Sequence, residues 1–380
     1  MTADLDIIIV HYHAAAQVRD AVSALRRDAE STGLSLQIIV ADNGSTSEER
    51  ALLQSLPIRY FDTGRNAGYA GAANAAFPET SAGCILLMNE DVLVLPGCLG
   101  RLREALLAGA SAAGPAFFWD TDATFMLPCT EERTRSSEMT RAGAGASATK
   151  LRRARREWRA HARRHWRATA ALPTASLSGA LLAFRRDTWN IVGPMDDRYH
   201  LYFEEDDWLC RIARAKLTSL YIPQAAAIHL HNPGMAQTPA RLAYQAESFL
   251  RFGNHYYGEA FMRRLSLLSA RRSIRTSWSR LGDTFPIDLS SLSQSDIWIE
   301  LTPSPLGFPA AATRVAGASL KSWTLPALRG LEFLDGPLYL QVVDDDGEEL
   351  GGYGIERRQE KSIATLQVYD RLALSRNASP

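Results

Sequence analysis

Three stretches of this chain run apolar without interruption and then stop at polar residues. They are DIIIVHY from Asp6 to Tyr12, LQIIVA from Leu36 into Asp42-Asn43-Gly44-Ser45-Thr46, and CILLM from Cys84 into Asn89-Glu90-Asp91. A strand with one solvated face alternates apolar and polar residues, whereas a strand buried on both faces reads as a continuous apolar run. Ala14 to Arg27 reads as a helix between the first two runs, and Glu48 and Glu49 give the acidic opening of another. A short strand, Ile58 to Asp62, and the small-residue stretch GRNAGYAGAANAAF precede the third run. This alternation predicts a mostly parallel sheet covered by helices, with ligands beyond the carboxyl ends of the strands. Asp42, Asn43, Asn89 and Asp91 all fall there. Turns and helix caps favour Asp and Asn for structural reasons too, so the argument lies in the repetition at successive strand ends.

Thr130 to Ala148 is rich in Ser, Thr, Gly and Ala and reads as a mobile loop. Lys150 to Arg167 follows as a helix with nine Lys or Arg against one Glu. Leu177 to Phe184 returns to buried character, Asp187 to Val192 reads as a short helix, and the acidic run Glu204-Glu205-Asp206-Asp207 opens a helix continuing to Arg214. Leu220 to Ile228 is a last strand, ending at His229. Ala243 to Leu281 is mostly helical. From about Asp296, WIELTP, PLYLQVV and SIATLQVY read as short strands of a separate β module. The expected organisation is a catalytic domain over 1–260, including the 130–170 loop and basic helix, a helical linker over 261–290, and a small β-rich accessory domain over 291–380.

At 380 residues and 46% apolar composition, the chain can bury one large core and one small one. Its four cysteines show neither a CxxC pair nor a disulfide framework, which fits a reducing compartment. No apolar run reaches the length of a membrane span, and Asp4 and Asp6 stand where a signal peptide carries positive charge. The expected location is cytoplasmic. Lys plus Arg equals Asp plus Glu, so net charge gives no argument for a nucleic-acid partner. The basic helix with Trp158 and Trp166 reads first as a solvated face and second as a peripheral contact with the inner face of an anionic membrane. The Gly64 to Asn74 stretch lacks the GxGxxG spacing of a dinucleotide site.

A reaction that expels a phosphate-bearing group needs a neutraliser for the departing charge and a general base. A divalent cation on carboxylate and imidazole ligands serves as the neutraliser, and Asp91 and His229 at two strand ends are candidates, with His231 close behind. The base is sought in Glu204 to Asp207, where mutual repulsion raises at least one carboxyl while the helix N-terminus opposes the shift.

Taken in order, VADNGSTSEE, GRNAGYAGAAN, LLMNEDVLVLPG, LSGALLAFRRDTW, YFEEDDWLCRIARA and IPQAAAIH resemble the family 2 glycosyltransferases of GT-A fold, especially the bacterial rhamnosyltransferase-like branch. The resemblance covers about Leu5 to His231. It implies a Rossmann-like mixed sheet and an inverting transferase using Mg²⁺ or Mn²⁺, with a dTDP- or UDP-linked donor and a polysaccharide or lipid-linked glycan acceptor. It implies further that Asp42 contacts the nucleobase, with Asn43 beside it. The first-strand end near His11, together with Arg65, Asn66, Gly68, Asn74 and Asn89, lines the nucleoside and diphosphate pocket. Asp91 is the implied metal ligand of an Asn-x-Asp motif, and His229 the late histidine. The family's Glu-Asp pair falls on Glu204-Glu205, which puts Glu at the base position; a one-residue shift makes it Asp206, with Asp207 following. Relatives tend to carry Asn where this chain has His11 and His13. Two other classes stay open at this point, a non-catalytic nucleotide or carbohydrate binder and a nucleotidyltransferase. The β module reads equally as a carbohydrate binder, an oligomer contact or packing for the catalytic domain.

Overall fold

The computed structural model describes residues 2–230, 239–271, 274, 276, 278–280, 287–289, 296–316, 322–326, 328–329 and 337–355. His231 and the SIATLQVY stretch lie outside them. In chain order the first half contains β1 (Leu5–His11), α1 (Ala15–Thr32), β2 (Leu36–Asp42), α2 (Ser47–Ser55), β3 (Arg59–Asp62), α3 (Gly68–Ala76), β4 (Cys84–Asn89), β5 (Val92–Val94), α4 (Cys98–Leu107), β6 (Ala112–Phe118), α5 (Arg135–Gly143) and α6 (Ala148–Trp166). There follow β7 (Leu172–Pro173), β8 (Leu181–Arg185), α7 (Arg186–Val192), α8 (Glu204–Arg214), β9 (Ser219–His229), α9 (Pro239–Tyr256) and α10 (Glu259–Ser269). The remainder is β10 (Ser279–Arg280), β11 (Ile287–Asp288), β12 (Ile297–Thr302), β13 (Ala311–Val315), β14 (Ser322–Trp323), β15 (Leu338–Asp344) and β16 (Glu349–Ile355).

These elements form two compact units. The first comprises Met1–Phe117, Cys129–Arg133 and Arg167–Gly258; the second comprises Phe118–Pro128, Thr134–Trp166 and Glu259–Pro380. In the first, strands run in the order β3-β2-β1-β4-β8-β6-β9-β5, with β7 paired to β9. The β3-β2-β1-β4 half is parallel, and every residue of β1 is buried. The β4–β8 and β5–β9 pairs are antiparallel, which makes the sheet mixed. Register sets His11 beside Asp42, and Val10 beside Asn89, so the polar strand ends share one edge. Thr46 caps α2 through a capping box, accepting from the Glu49 amide at 3.2 Å while Glu49 Oε2 accepts from the Thr46 amide at 2.9 Å. A core of Trp189, Trp208, Phe184 and the small residues of α3 fills one side of the sheet.

The second unit corrects three expectations. Its main sheet, β10-β16-β15-β12-β13, is largely antiparallel, but it is joined in one unit by residues 134–166, which were expected in the catalytic domain. The 130–148 stretch is not a loop throughout: Thr134 caps α5, accepting from the Ser137 amide at 3.0 Å. The tryptophans of the basic helix face inward. Trp158 and Trp166 are 2% and 7% exposed and pack with Trp298 and Phe308, leaving no indole for a membrane.

Three arginines of α6 spaced four apart share that inward face. Arg159 donates from Nε to Glu300 at 2.9 Å and from Nη1 to Glu349 at 2.8 Å. Arg155 reaches Glu349 at 2.7 Å, and Arg163 donates to the carbonyls of Asp344 and Asp345. Glu300 is fully buried. Removing one member of a buried pair strands the other, which costs several kcal/mol, whereas replacing both with apolar groups of similar volume is often neutral. Glu300→Gln is therefore expected to destabilise the protein by about 3 kcal/mol in chemical denaturation, and Arg159→Met with Glu300→Leu to recover most of that loss.

Candidate functional site

At the carboxyl edge of the first unit, Asp42 is fully buried and hydrogen-bonded on both oxygens. Its Oδ1 accepts from the Gly44 and Ser45 amides at 3.0 and 2.9 Å and from the Ser45 hydroxyl at 2.8 Å; its Oδ2 accepts from Tyr60 at 2.5 Å. Burial pushes the carboxyl up, but these donors together outweigh it and hold Asp42 below its ordinary value. It is thus ionised and occupied in shaping the 42–46 turn. Asn43 does similar work on the next loop, accepting from the Ala67 amide at 2.8 Å and donating to the Gly68 carbonyl at 3.0 Å. His11, fully buried, meets Ser45 Oγ through Nε2 at 3.0 Å, and burial keeps its ring neutral by lowering its pKa.

The Gly64 to Asn74 stretch divides. Arg65 and Asn66 are exposed at the start of α3. Gly68 adopts φ +74° and lies so close to the His200 carbonyl that a β-carbon would clash, and Tyr69 donates to the same carbonyl at 3.0 Å. Asn74 points elsewhere: its amide group donates to the Met195 carbonyl at 2.8 Å and accepts from the Met195 amide at 3.1 Å, fastening α3 to the loop before α8.

The Asn89-Glu90-Asp91 turn joins β4 to β5. Its first amide donates to Ala180 at 2.9 Å, and its last carbonyl accepts from Leu230 at 3.1 Å. Because β5 pairs with β9 so that Val92 faces His229, Asp91 and His229 are brought together across the strands. Asp91 Oδ1 and His229 Nε2 stand 3.4 Å apart. Two ligands at about 2.1 Å from one Mg²⁺ or Mn²⁺ ion, set at roughly a right angle, are separated by about 3 Å, and a carboxylate oxygen with an imidazole suits such an ion. The donor set therefore fits a divalent cation. Glu90, just before Asp91 in sequence, is buried and pushed up to about 8, first by burial and then by the Asp91 charge.

The four carboxyls opening α8 are not equivalent. Asp206 accepts from Arg133 Nε at 2.9 Å; Asp207 accepts from Arg211 Nε at 2.9 Å and from the Tyr256 hydroxyl at 2.7 Å. Glu204 and Glu205 each keep an Oε2 with no hydrogen-bond partner among the described residues. Both are raised, Glu204 by burial and the neighbouring Glu205, and Glu205 to about 7 by burial and then Asp206. Glu204 is closed off, whereas Glu205 keeps part of its surface open. Tyr202 and Phe203, just before the run, take φ of +67° and +72°, a conformation costly for bulky residues and characteristic of functional turns.

Tyr69 links the two halves, and reading the sequence for chemistry alone passes over it. Its hydroxyl donates to the Gly179 carbonyl at 2.8 Å, and a β-carbon on Gly179 would press on the Glu205 side chain at 3.2 Å. The adjacent Ala180 holds the Asn89 amide. The buried phenol is raised by desolvation first and then by the charges of Glu204, Glu205, Glu90 and Asp91. The phenol therefore lies within the field of carboxyls from both the Asn89-Glu90-Asp91 turn and the start of α8. Arg133 and Arg241 are the other residues missed: Arg133 bonds Asp206 and lies 4.6 Å from the Phe203 ring centre, and Arg241 Nε donates to Tyr202 at 2.7 Å. Only the GY pair inside GRNAGYAGAAN hinted at Tyr69; nothing marked the arginines.

Residues 6–148 match the family model for glycosyl transferase family 2. An N-acetylglucosaminyl-diphospho-decaprenol L-rhamnosyltransferase of Mycobacterium tuberculosis is 26% identical over 275 residues, 68% of this chain and 87% of its own. The low-salt glycan biosynthesis hexosyltransferase Agl10 of Haloferax volcanii is 32% identical over 96 residues, 24% of this chain and 29% of its own. Among solved structures, a mannosyltransferase of Pyrobaculum calidifontis in complex with GDP-Man and Mn²⁺ aligns over 71% of this chain and 70% of its own, at 13% identity and a TM-score of 0.43. Over residues 6–148, from β1 through the Asn89-Glu90-Asp91 turn and beyond, the chain carries a match to glycosyl transferase family 2 on a mixed sheet covered by helices, and it is a sugar-transferring enzyme.

Proposed function

We propose that this enzyme moves a sugar from a nucleoside-diphosphate donor to a lipid-linked glycan acceptor with inversion, using Glu205 as general base and a divalent cation on Asp91 and His229. The reading is supported by the carboxylate–imidazole pair of Asp91 and His229, 3.4 Å apart, and by Glu204 and Glu205, which each keep a buried oxygen without a partner among the described residues. A leaving diphosphate needs the first, and an attacking hydroxyl needs the second. The acceptor class follows the printed name of the mycobacterial relative, whose substrate is a diphospho-decaprenol. Its donor sugar makes dTDP- and UDP-linked deoxyhexoses the first to test.

Within this reading, Asp91 and His229 would hold a divalent cation, which would supply positive charge to a departing diphosphate. Glu205 takes the acceptor proton at its unpartnered carboxylate oxygen, and burial with the neighbouring Asp206 charge keeps that carboxylate from becoming a weak base. Arg133 occupies Asp206, and Arg211 with Tyr256 occupies Asp207, which leaves neither aspartate available to the acceptor. Asp42, Asn43 and His11 hold the loops against which the nucleoside lies, with Arg65 and Asn66 at the exposed rim and Asn89 at the strand end. Asp42 then acts on the base through the backbone of its turn, since its oxygens are already bonded.

A base must be ionised to act, so kcat/KM is expected to rise with pH up to about 7 and then level. Glu205→Gln should lower it by about 10²- to 10⁴-fold and remove that limb, while Asp206→Asn costs far less. The reverse ranking, measured as release of nucleoside diphosphate from a donor panel, would assign the base to Asp206.

The same carboxyls predict a stability trend with a definite sign. Glu204 and Glu205 titrate higher in the folded chain than in the unfolded one, so folding binds their protons more tightly. Their cost is absent below about pH 4, grows as the unfolded chain ionises, and is complete once pH passes the folded value near 7 for Glu205. Glu204→Gln is therefore expected to raise the melting temperature of the metal-free protein at pH 8 and to leave it nearly unchanged at pH 4.

Asp91→Asn and His229→Ala are each expected to weaken Mn²⁺ binding, read by calorimetry or electron paramagnetic resonance, by on the order of 100-fold, and chelation to stop transfer. Unaltered Mn²⁺ affinity in both variants would remove the cation from this position.

A further inference from the structure

The second unit contains a cleft of about 510 Å³ lined by α5, α6 and α10. Its cations are Lys150 and Arg153 on α6, Arg264 on α10 and Arg271 just beyond it, and no acidic side chain is among its described lining residues. Arg153 is matched by Glu157 at 2.7 Å, which leaves Lys150, Arg264 and Arg271 as the cleft's excess charge, all exposed. Its other character is apolar: Met139, Leu267 and Leu268 form part of the wall, and Leu267 is 62% exposed.

Three cations beside an exposed leucine make an amphipathic combination. Cations alone suit any polyanion, but an open apolar wall gains from contact with hydrocarbon, and basic residues at a bilayer surface gain from anionic headgroups. Nucleic acid fits less well, because the described lining has no aromatic ring on which a base could stack. The volume lies within the range of sites for small ligands and exceeds what one phosphate group needs. We infer that this cleft seats the phosphate-bearing headgroup of an anionic lipid at a bilayer surface, with Leu267 entering the interface. This moves the membrane contact away from the tryptophan face of α6, which is spent inside the unit.

The test is binding of the full-length protein to vesicles, read by co-sedimentation without any turnover, so that it stands or falls apart from the transfer reaction. The wild type is expected to bind phosphatidylcholine vesicles containing phosphatidylglycerol and not those of phosphatidylcholine alone. The K150E/R264E/R271E variant, changed only at exposed positions, should bind on the order of 100-fold more weakly. The control R152E/R156E, on exposed positions of α6 outside the cleft, should lose at most about threefold, and Leu267→Ser about tenfold. Circular dichroism confirms that each variant is folded. The inference is overturned if neutral vesicles bind equally or anionic ones not at all. It is equally overturned if the control loses as much as the triple variant, or if Leu267→Ser changes nothing, which would reduce the site to bare charge.

Discussion

A parallel strand buried on both faces has no room for a polar side chain along its length, so its chemistry collects past its carboxyl end. In this chain β1, β2 and β4 each run through buried apolar residues to a polar end, with Asp6 near the start of β1 held by the Ser81 and Ala82 amides, and their register brings His11, Asp42 and Asn89 to one edge. The antiparallel half adds further polar residues: β9 runs back to deliver His229 opposite Val92, and the first turn of α8 sets Glu205 beside Gly179. Residues separated by more than a hundred positions meet because strand order, not sequence distance, fixes the edge.

The site is held at a cost that the surrounding contacts meet. Two carboxyls are kept without full hydrogen bonding in a low-dielectric cleft, and two bulky residues before them have positive φ. What maintains this arrangement is a set of bonds with no chemical role: Asn74 to Met195, the Trp208 indole to the Gly193 carbonyl at 2.9 Å, and Arg211 to the carbonyls of Val192 and Pro194. These pin the 192–196 segment from both sides and so fix the start of α8.

Which of this was legible in the sequence follows from range. Strand ends can be read locally, and the Asp91 and His229 expectation needed only two apolar runs with polar stops. The capping box of α2 was equally local. What a single side chain spends its hydrogen bonds on cannot be read that way. Asp42 and Asn43, expected as ligand contacts, also bind loops, Asn74 bonds Met195, and Tyr69 gains its place only when Gly179 arrives from 110 residues away. The choice among four adjacent carboxyls was illegible for the same reason, since Arg133, Arg211 and Tyr256 had to be found in space.

The basic helix failed to read correctly for a different reason. Counting nine cations in eighteen positions treats them as one class, but an α-helix sorts residues four apart onto one face. Arg155, Arg159 and Arg163 go to the carboxylates and carbonyls of the β module, together with Trp158 and Trp166. Arg152, Arg153 and Arg156 go to solvent. The β module is accordingly not an appendage added after residue 290. Its sheet is completed by arginines inserted in sequence between β6 and β8 of the catalytic sheet, so the chain leaves the first unit, helps build the second, and returns before the base-bearing helix is made. A change that loosens the Arg159–Glu300 pair therefore acts on a segment whose two ends both lie in the catalytic unit. Removing the C-terminal residues would expose Trp158, Trp166 and three arginines of α6, all of which lie within the second unit.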